Sequence, residues 1–193
     1  MTSKSYFIVC FALFSFFVVS LVEAVKTRIV EEKDLEQIHK YLENPLVTLQ
    51  TSRIPYPISL ENVTNWYEDA KERNRQGLLY SFAITPDDID EVMGVIELKR
   101  ETSDSKAGEL GYWLGQEYWG KGYMSSAINQ VTSFAFNELS LSTVEAYCLE
   151  DNVGSIRALK KNAFVEQPGT VSQWMPARAR TGIFVLLRCL SAF

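Results

Sequence analysis

The sequence predicts a mixed α/β domain: one twisted sheet of about seven strands, partly parallel and partly antiparallel, with four helices on its two faces. Three observations lead there. The apolar period switches between two and 3.6 residues along the chain, in the order β-α-α-β-β-β-α-β-α-β-β. The strand-helix-strand unit between Ala107 and Leu149 requires a right-handed crossover between parallel strands. The two strands flanking Pro86-Asp87-Asp88 form a hairpin and therefore pair antiparallel.

Taken in order, residues 25–30 alternate as a short strand, with Val25, Thr27 and Ile29 set against Lys26 and Arg28. Asp34 is placed to cap a helix running to Leu42, which Asn44-Pro45 ends. Ile54-Pro55-Tyr56-Pro57 reads as a stiff loop. Ser59 caps a second helix, whose Leu60, Val63, Trp66, Tyr67 and Ala70 share one side and which stops before Gly77. Strands are expected at 78–85, 91–100 and Ala107–Leu114. The next helix carries Met124, Ala127, Ile128, Val131, Phe134, Ala135 and Leu139 at intervals of three and four, the spacing of one buried face. Thr143–Leu149 is a β-rich strand, 153–161 a short helix, and 164–174 and 182–189 two closing strands around a loop at 176–181.

The segment Gly108-Glu109-Leu110-Gly111-Tyr112-Trp113-Leu114-Gly115 to Trp119-Gly120-Lys121-Gly122-Tyr123-Met124 carries the chemistry. It reads as a strand, a glycine-punctuated loop and a helix start. Such a loop presents backbone N–H groups and the positive end of the helix dipole, a site for a phosphate or pyrophosphate. Glycine at 120 and 122 lets ligand oxygens approach the backbone.

The chain has 193 residues and, from Val25 on, no linker, repeat or low-complexity tract, so one domain at 25–193 is expected. The net charge of −5 with interspersed signs argues against nucleic acid as a partner. Three cysteines without CxxC spacing and a single histidine, His39, argue against a zinc site and against a histidine-activated nucleophile. His39, among polar neighbours, reads as a surface residue. Residues 1–24 stand apart: a weakly basic start, an apolar run from 6 to 22, and Val22-Glu23-Ala24 before the domain. These are the parts of a secretory signal peptide, which would place the protein in the secretory pathway; the alternatives are an uncleaved membrane anchor, with membrane contact only if the segment is retained, and a cytoplasmic protein.

Gly111–Leu114 (Gly-Tyr-Trp-Leu), 119–123 (Trp-Gly-x-Gly-Tyr) and 151–155 (Asp-Asn-x-x-Ser), together with Ile54-Pro55-Tyr56-Pro57-Ile58-Ser59-Leu60-Glu61, resemble the GNAT superfamily of acetyl-CoA-dependent N-acetyltransferases. The resemblance spans the domain from Val25 to about Leu190 and is nearest to the branch that acetylates ribosomal-protein serine or alanine N-termini. It implies fourth and fifth strands that splay apart, so that the pantetheine of acetyl-CoA adds to their free backbone groups. It places the cofactor against Trp113, Leu114, Trp119, Gly120, Lys121, Gly122, Tyr123, Met124, Asn152 and Ser155, with no metal. The pattern departs at Glu117, where the superfamily often has Gln or Arg, and at Ala163-Phe164, where it has Gly-Phe; Ala in a left-handed turn costs about 1 kcal/mol.

Acetyl transfer to an amine needs a neutral amine, a stabilised oxyanion and a proton for the leaving thiolate. Glu109 is the candidate base and Ser155 the partner of the thiol sulfur. Asn152 and Ser155 also suit the ordinary task of capping a helix. Tyr147 reads as a cleft-lining aromatic. Arg53, Tyr56 and Trp66 are placed at the acceptor wall. The expected activity is acetylation of a primary amine, first of all a protein or peptide N-terminus; the competing readings are a non-catalytic CoA-binding or interaction module and an enzyme acting on a polyamine or aminoglycoside. The acidic run Asp87, Asp88, Asp90 and Glu91 reads as a solvated turn.

Overall fold

The computed structural model of the chain describes residues 25–191; the expected signal segment lies outside them. The elements are β1 (Val25–Ile29), α1 (Leu35–Leu42), α2 (Pro45–Thr48), α3 (Leu60–Arg75), β2 (Leu79–Pro86), β3 (Gly94–Lys99), β4 (Ala107–Leu114), α4 (Tyr123–Asn137), β5 (Thr143–Leu149), α5 (Val153–Lys160), β6 (Val165–Met175) and β7 (Arg180–Leu190). One seven-stranded sheet runs β1-β2-β3-β4-β5-β7-β6. Every neighbouring pair is antiparallel except β4 and β5, which are parallel and linked by α4. The mixed sheet and the crossover are as the periodicity predicts.

Side-chain alternation on the strands splits the interior into two layers. Ile96 and Leu98 of β3 and Leu110 and Leu114 of β4 face α4, where Ala127, Ile128, Val131 and Ala135 are buried. Ala83 and Val95 face the other way and pack with Ile38 and Leu42 of α1 and Val63 of α3. The sheet is therefore sandwiched, and the middle of β4 is reached from both sides.

Several local expectations are corrected. Among the described residues there are five α-helices rather than four, because Asn44-Pro45 starts one as well as ending one: the Asn44 side chain accepts from Leu46 N–H at 3.0 Å, and Pro45 occupies the first turn of α2. Asp34 does not cap α1 with its side chain. It is 3% exposed, receives Arg28 Nη1 and Nη2 at 2.7 and 2.8 Å, and accepts from Glu31 N–H at 2.9 Å, so its carboxylate serves an ion pair and the preceding 3-10 turn instead. Arg28 also reaches Asp90 at 2.6 Å, and hydrogen bonds from Lys33 and Arg28 hold that carboxyl down at about 2. The acidic turn is thus pinned to β1 at Asp90, and β3 begins at Gly94 rather than at 91. His39 is half-buried, its Nε2 lying 3.1 Å from the Ile58 carbonyl across the loop before α3. The closing hairpin is tighter than expected: a 3-10 turn, Pro176–Arg178, and a left-handed Ala179 leave β7 starting at Arg180. Ser59 caps α3 as predicted, accepting from Asn62 N–H at 3.1 Å.

Candidate active site

The register of β4 and β5 locates the site. They pair from Ala107 opposite Thr143 only as far as Leu110 opposite Ala146. From Gly111 and Tyr147 onward the strands part, so their backbone groups face an open seam instead of one another. A cleft of about 1000 Å³ runs through this opening. The splay implied by the family resemblance is present.

The glycine loop lies at one end of the seam. Gly120 and Gly122 have φ of +76° and +90°, in the left-handed region that favours glycine. At Gly120 it is this backbone angle that demands glycine, since a Cβ built there meets nothing within 4 Å. Gly122 is the N-cap of α4 and supplies no side-chain cap, so the first turn, Met124 and Ser125 included, presents its amides to whatever enters the cleft. Trp119 is 43% exposed and donates its indole N–H to the Leu114 carbonyl at 2.9 Å, which clamps the loop to the end of β4. The Leu114 side chain is buried in the core. Lys121 lies outside the cleft lining, its Nζ 5.9 Å from the Tyr118 ring centroid.

At the mouth of the seam Asn152 caps α5, its Oδ1 accepting from Ser155 N–H at 3.1 Å. Capping and cleft lining coexist, since both residues line the opening. Ser155 Oγ is held between the Tyr112 hydroxyl at 2.7 Å and Cys148 Sγ at 3.1 Å. Burial pushes the Tyr112 phenol well above its ordinary value and raises the Cys148 thiol as well, so the Tyr112 phenol stays protonated. Tyr112 and Cys148 are site residues that the sequence reading missed as individuals. The signal that finds them is strand parity: 112 lies on the opposite face of β4 from 109, toward the helix that carries Ser155.

On the other face of the sheet stand Glu109, Gly111 and Trp113. Trp113 packs with the α1 and α3 layer, its ring centroid 6.4 Å from that of Tyr41. Glu109 Oε1 receives Arg53 Nη2 at 2.7 Å. Trp66 of α3 donates its indole N–H to Glu97 Oε1 at 3.0 Å. Arg53 and Trp66 therefore line the expected wall together with Tyr147, whereas Tyr56 is exposed and lies outside the lining. Burial, followed by the charges of Glu145 and Glu109, raises the Tyr147 phenol.

A helix N-terminus offering amides on one side of an opened seam, and a carboxylate on the other side, define a site for bringing an anionic cofactor and a cationic acceptor together. Residues 26–165 match the acetyltransferase (GNAT) domain, and the chain belongs to that family. It is 25% identical over 158 residues to the uncharacterized N-acetyltransferase p20 of Bacillus licheniformis, covering 82% of this chain and 88% of that protein. Among solved structures, the ribosomal alpha-N-protein acetyltransferase RimL in complex with coenzyme A superposes with a TM-score of 0.76 at 20% identity, over 86% of this chain and 93% of that one. The spermidine N-acetyltransferase from Vibrio cholerae in complex with CoA and spermine gives 0.73 at 19% identity, over 86% and 95%. At these identities the structural likeness establishes the fold alone.

Proposed function

We propose that the protein transfers the acetyl group of acetyl-CoA to a primary amine, with a peptide N-terminus as the acceptor class. The observation that carries this reading is the opening of β4 from β5 at Gly111, flanked by the uncapped α4 N-terminus and by Ser155. The α4 first turn and the Gly120–Gly122 backbone suit a pyrophosphate. The freed edges of β4 and β5 suit an amide-rich arm. Glu109 takes the proton that the amine loses as its nitrogen attacks the thioester carbonyl. Ser155, backed by the protonated Tyr112, donates to the sulfur as the C–S bond breaks. Asn152 keeps Ser155 in place through the α5 cap.

A peptide acceptor is supported by relatives such as the ribosomal-protein-serine acetyltransferase of Escherichia coli, 30% identical over 76 residues. Two of the carboxylates lining the cleft, Glu97 and Glu109, also suit a short polyamine. Acetyl-CoA binding by calorimetry, combined with thiol release using a serine-initiated peptide and using spermidine, tests the reading and separates the two acceptors. Binding without thiol release from any amine would leave only a CoA-binding module.

A further inference from the structure

Gly111, where the seam opens, is paired directly with Glu97 on β3. Gly111 itself carries no side chain, and a Cβ built there would meet nothing within 4 Å, so the β4 position directly opposite Glu97 is open. Glu97 lines the cleft on the face that also carries Arg53, Trp66 and Glu109. Two neutral donors hold its carboxylate: Trp66 Nε1 at 3.0 Å and Ser81 Oγ at 2.7 Å, both on Oε1. Their shared choice of one oxygen leaves Oε2 as the acceptor atom available to a ligand, on a group whose orientation is already set.

The charges in the cleft are unequal. Glu109 is compensated by Arg53 at 2.7 Å, and Asp69 by Arg73 at 3.6 Å. Lys99, two residues along β3, lines the same cleft, yet among the described residues no ion pair forms on Glu97. A half-buried carboxylate with only neutral partners is short of a cation.

From this we infer that Glu97 is a substrate-binding residue: it receives the ammonium of the acceptor amine, which gives one proton to solvent before its nitrogen attacks. The assignment rests on the acetyltransferase reading above. It gives the two carboxylates separate tasks. Glu97 docks the cation, and Glu109 exchanges Arg53 for the proton that attack releases. A primary amine with a second amino group within a few bonds can occupy both carboxylates at once, so spermidine is a suitable probe beside a serine-initiated peptide.

Glu97→Gln keeps an oxygen for Trp66 and Ser81 and removes the charge. The expected result is an acceptor KM raised about tenfold or more for both probes, with kcat within about twofold and the acetyl-CoA Kd unchanged. Glu97→Asp, which keeps the charge on a shorter stem, is expected to fall between parent and Glu97→Gln. It serves as the comparison should the amide variant lose acetyl-CoA binding. Parent turnover with an unchanged KM in the folded charge-free variant overturns this inference alone. No turnover of either probe by the parent overturns the acetyltransferase reading and this inference together.

Discussion

Gly122, with φ of +90° at the α4 N-terminus, shapes the turn and lies where the proposed cofactor's pyrophosphate would sit. Gly122→Glu puts a negative charge where a pyrophosphate would lie. It is expected to weaken acetyl-CoA binding by at least about tenfold in calorimetry. Gly122→Asn, a type that tolerates left-handed backbone and carries no charge, is expected to lose less. Equal affinity in a folded Gly122→Glu protein would remove the loop from the cofactor site. Glu109→Gln separates binding from chemistry: turnover should fall by about 100-fold while the acetyl-CoA Kd stays, and equal rates between about pH 6 and 9 would move the base elsewhere. These candidates came from the sequence, because the Gly-x-Gly loop, Glu109 and Ser155 sit in short local patterns. Their partners did not. Arg53 meets Glu109 across 56 positions of sequence and Tyr112 meets Ser155 across 43, and no local period encodes such a meeting. Lys121 and Tyr56 show the converse, since adjacency to a motif does not decide on which side of the backbone a side chain emerges.

Among the elements, the long periodic ones were the most readable. α3 and α4 keep their apolar spacing over 16 and 15 residues and are recovered nearly to the residue. The errors fall on short elements, where one polar side chain decides the geometry. Asn44 started α2 through a side-chain cap, and Asp34 binds Arg28 and the Glu31 N–H instead of capping α1. The turn after α5 shows tertiary structure overriding a residue preference. Ala163 adopts φ +61°, the left-handed angle for which the family pattern has glycine, and Phe164, which follows it, is buried in the core. Asn162 N–H and Phe164 N–H both return to the Leu159 carbonyl, at 2.8 and 3.3 Å, so the angle is enforced from both sides. Ala163→Gly relieves the Cβ clash at the cost of a more flexible unfolded chain. The net expectation is a gain of about 0.5–1 kcal/mol in urea unfolding, with kinetics unchanged. A loss of stability would mean that the Ala163 side chain packs more favourably than its backbone angle costs.

For the whole molecule, the order of elements fixes where chemistry can occur. A parallel β4-β5 pair inside an otherwise antiparallel sheet needs the α4 crossover, and the crossover places a helix N-terminus beside the seam it creates. That consequence was visible in the chain before any contact was known. The extent of the splay was not, because it depends on where pairing stops, after Leu110 and Ala146. The same architecture bears on the N-terminal segment, read as a secretory signal with an anchor as the alternative. The first ladder already engages Val25, which is paired with Pro86 and whose carbonyl accepts from Gln130 Nε2 at 2.6 Å. Thr27 N–H donates to Gln130 Oε1 at 3.1 Å, so β1 is tied to α4 from its first turn of pairing. Processing after Ala24 would sever none of these contacts and would deliver a chain that begins at the first residue of the sheet. The secretory reading therefore predicts a mature protein starting at Val25, with acetyl-CoA affinity equal to that of the full chain. Intact mass and N-terminal sequencing of protein from its native host, followed by calorimetry on the same preparation, check both parts. A soluble product that retains residues 6–22 rejects the cleaved signal, and a membrane-bound one supports the anchor. A Val25 product that no longer binds acetyl-CoA would show that the domain depends on the segment removed.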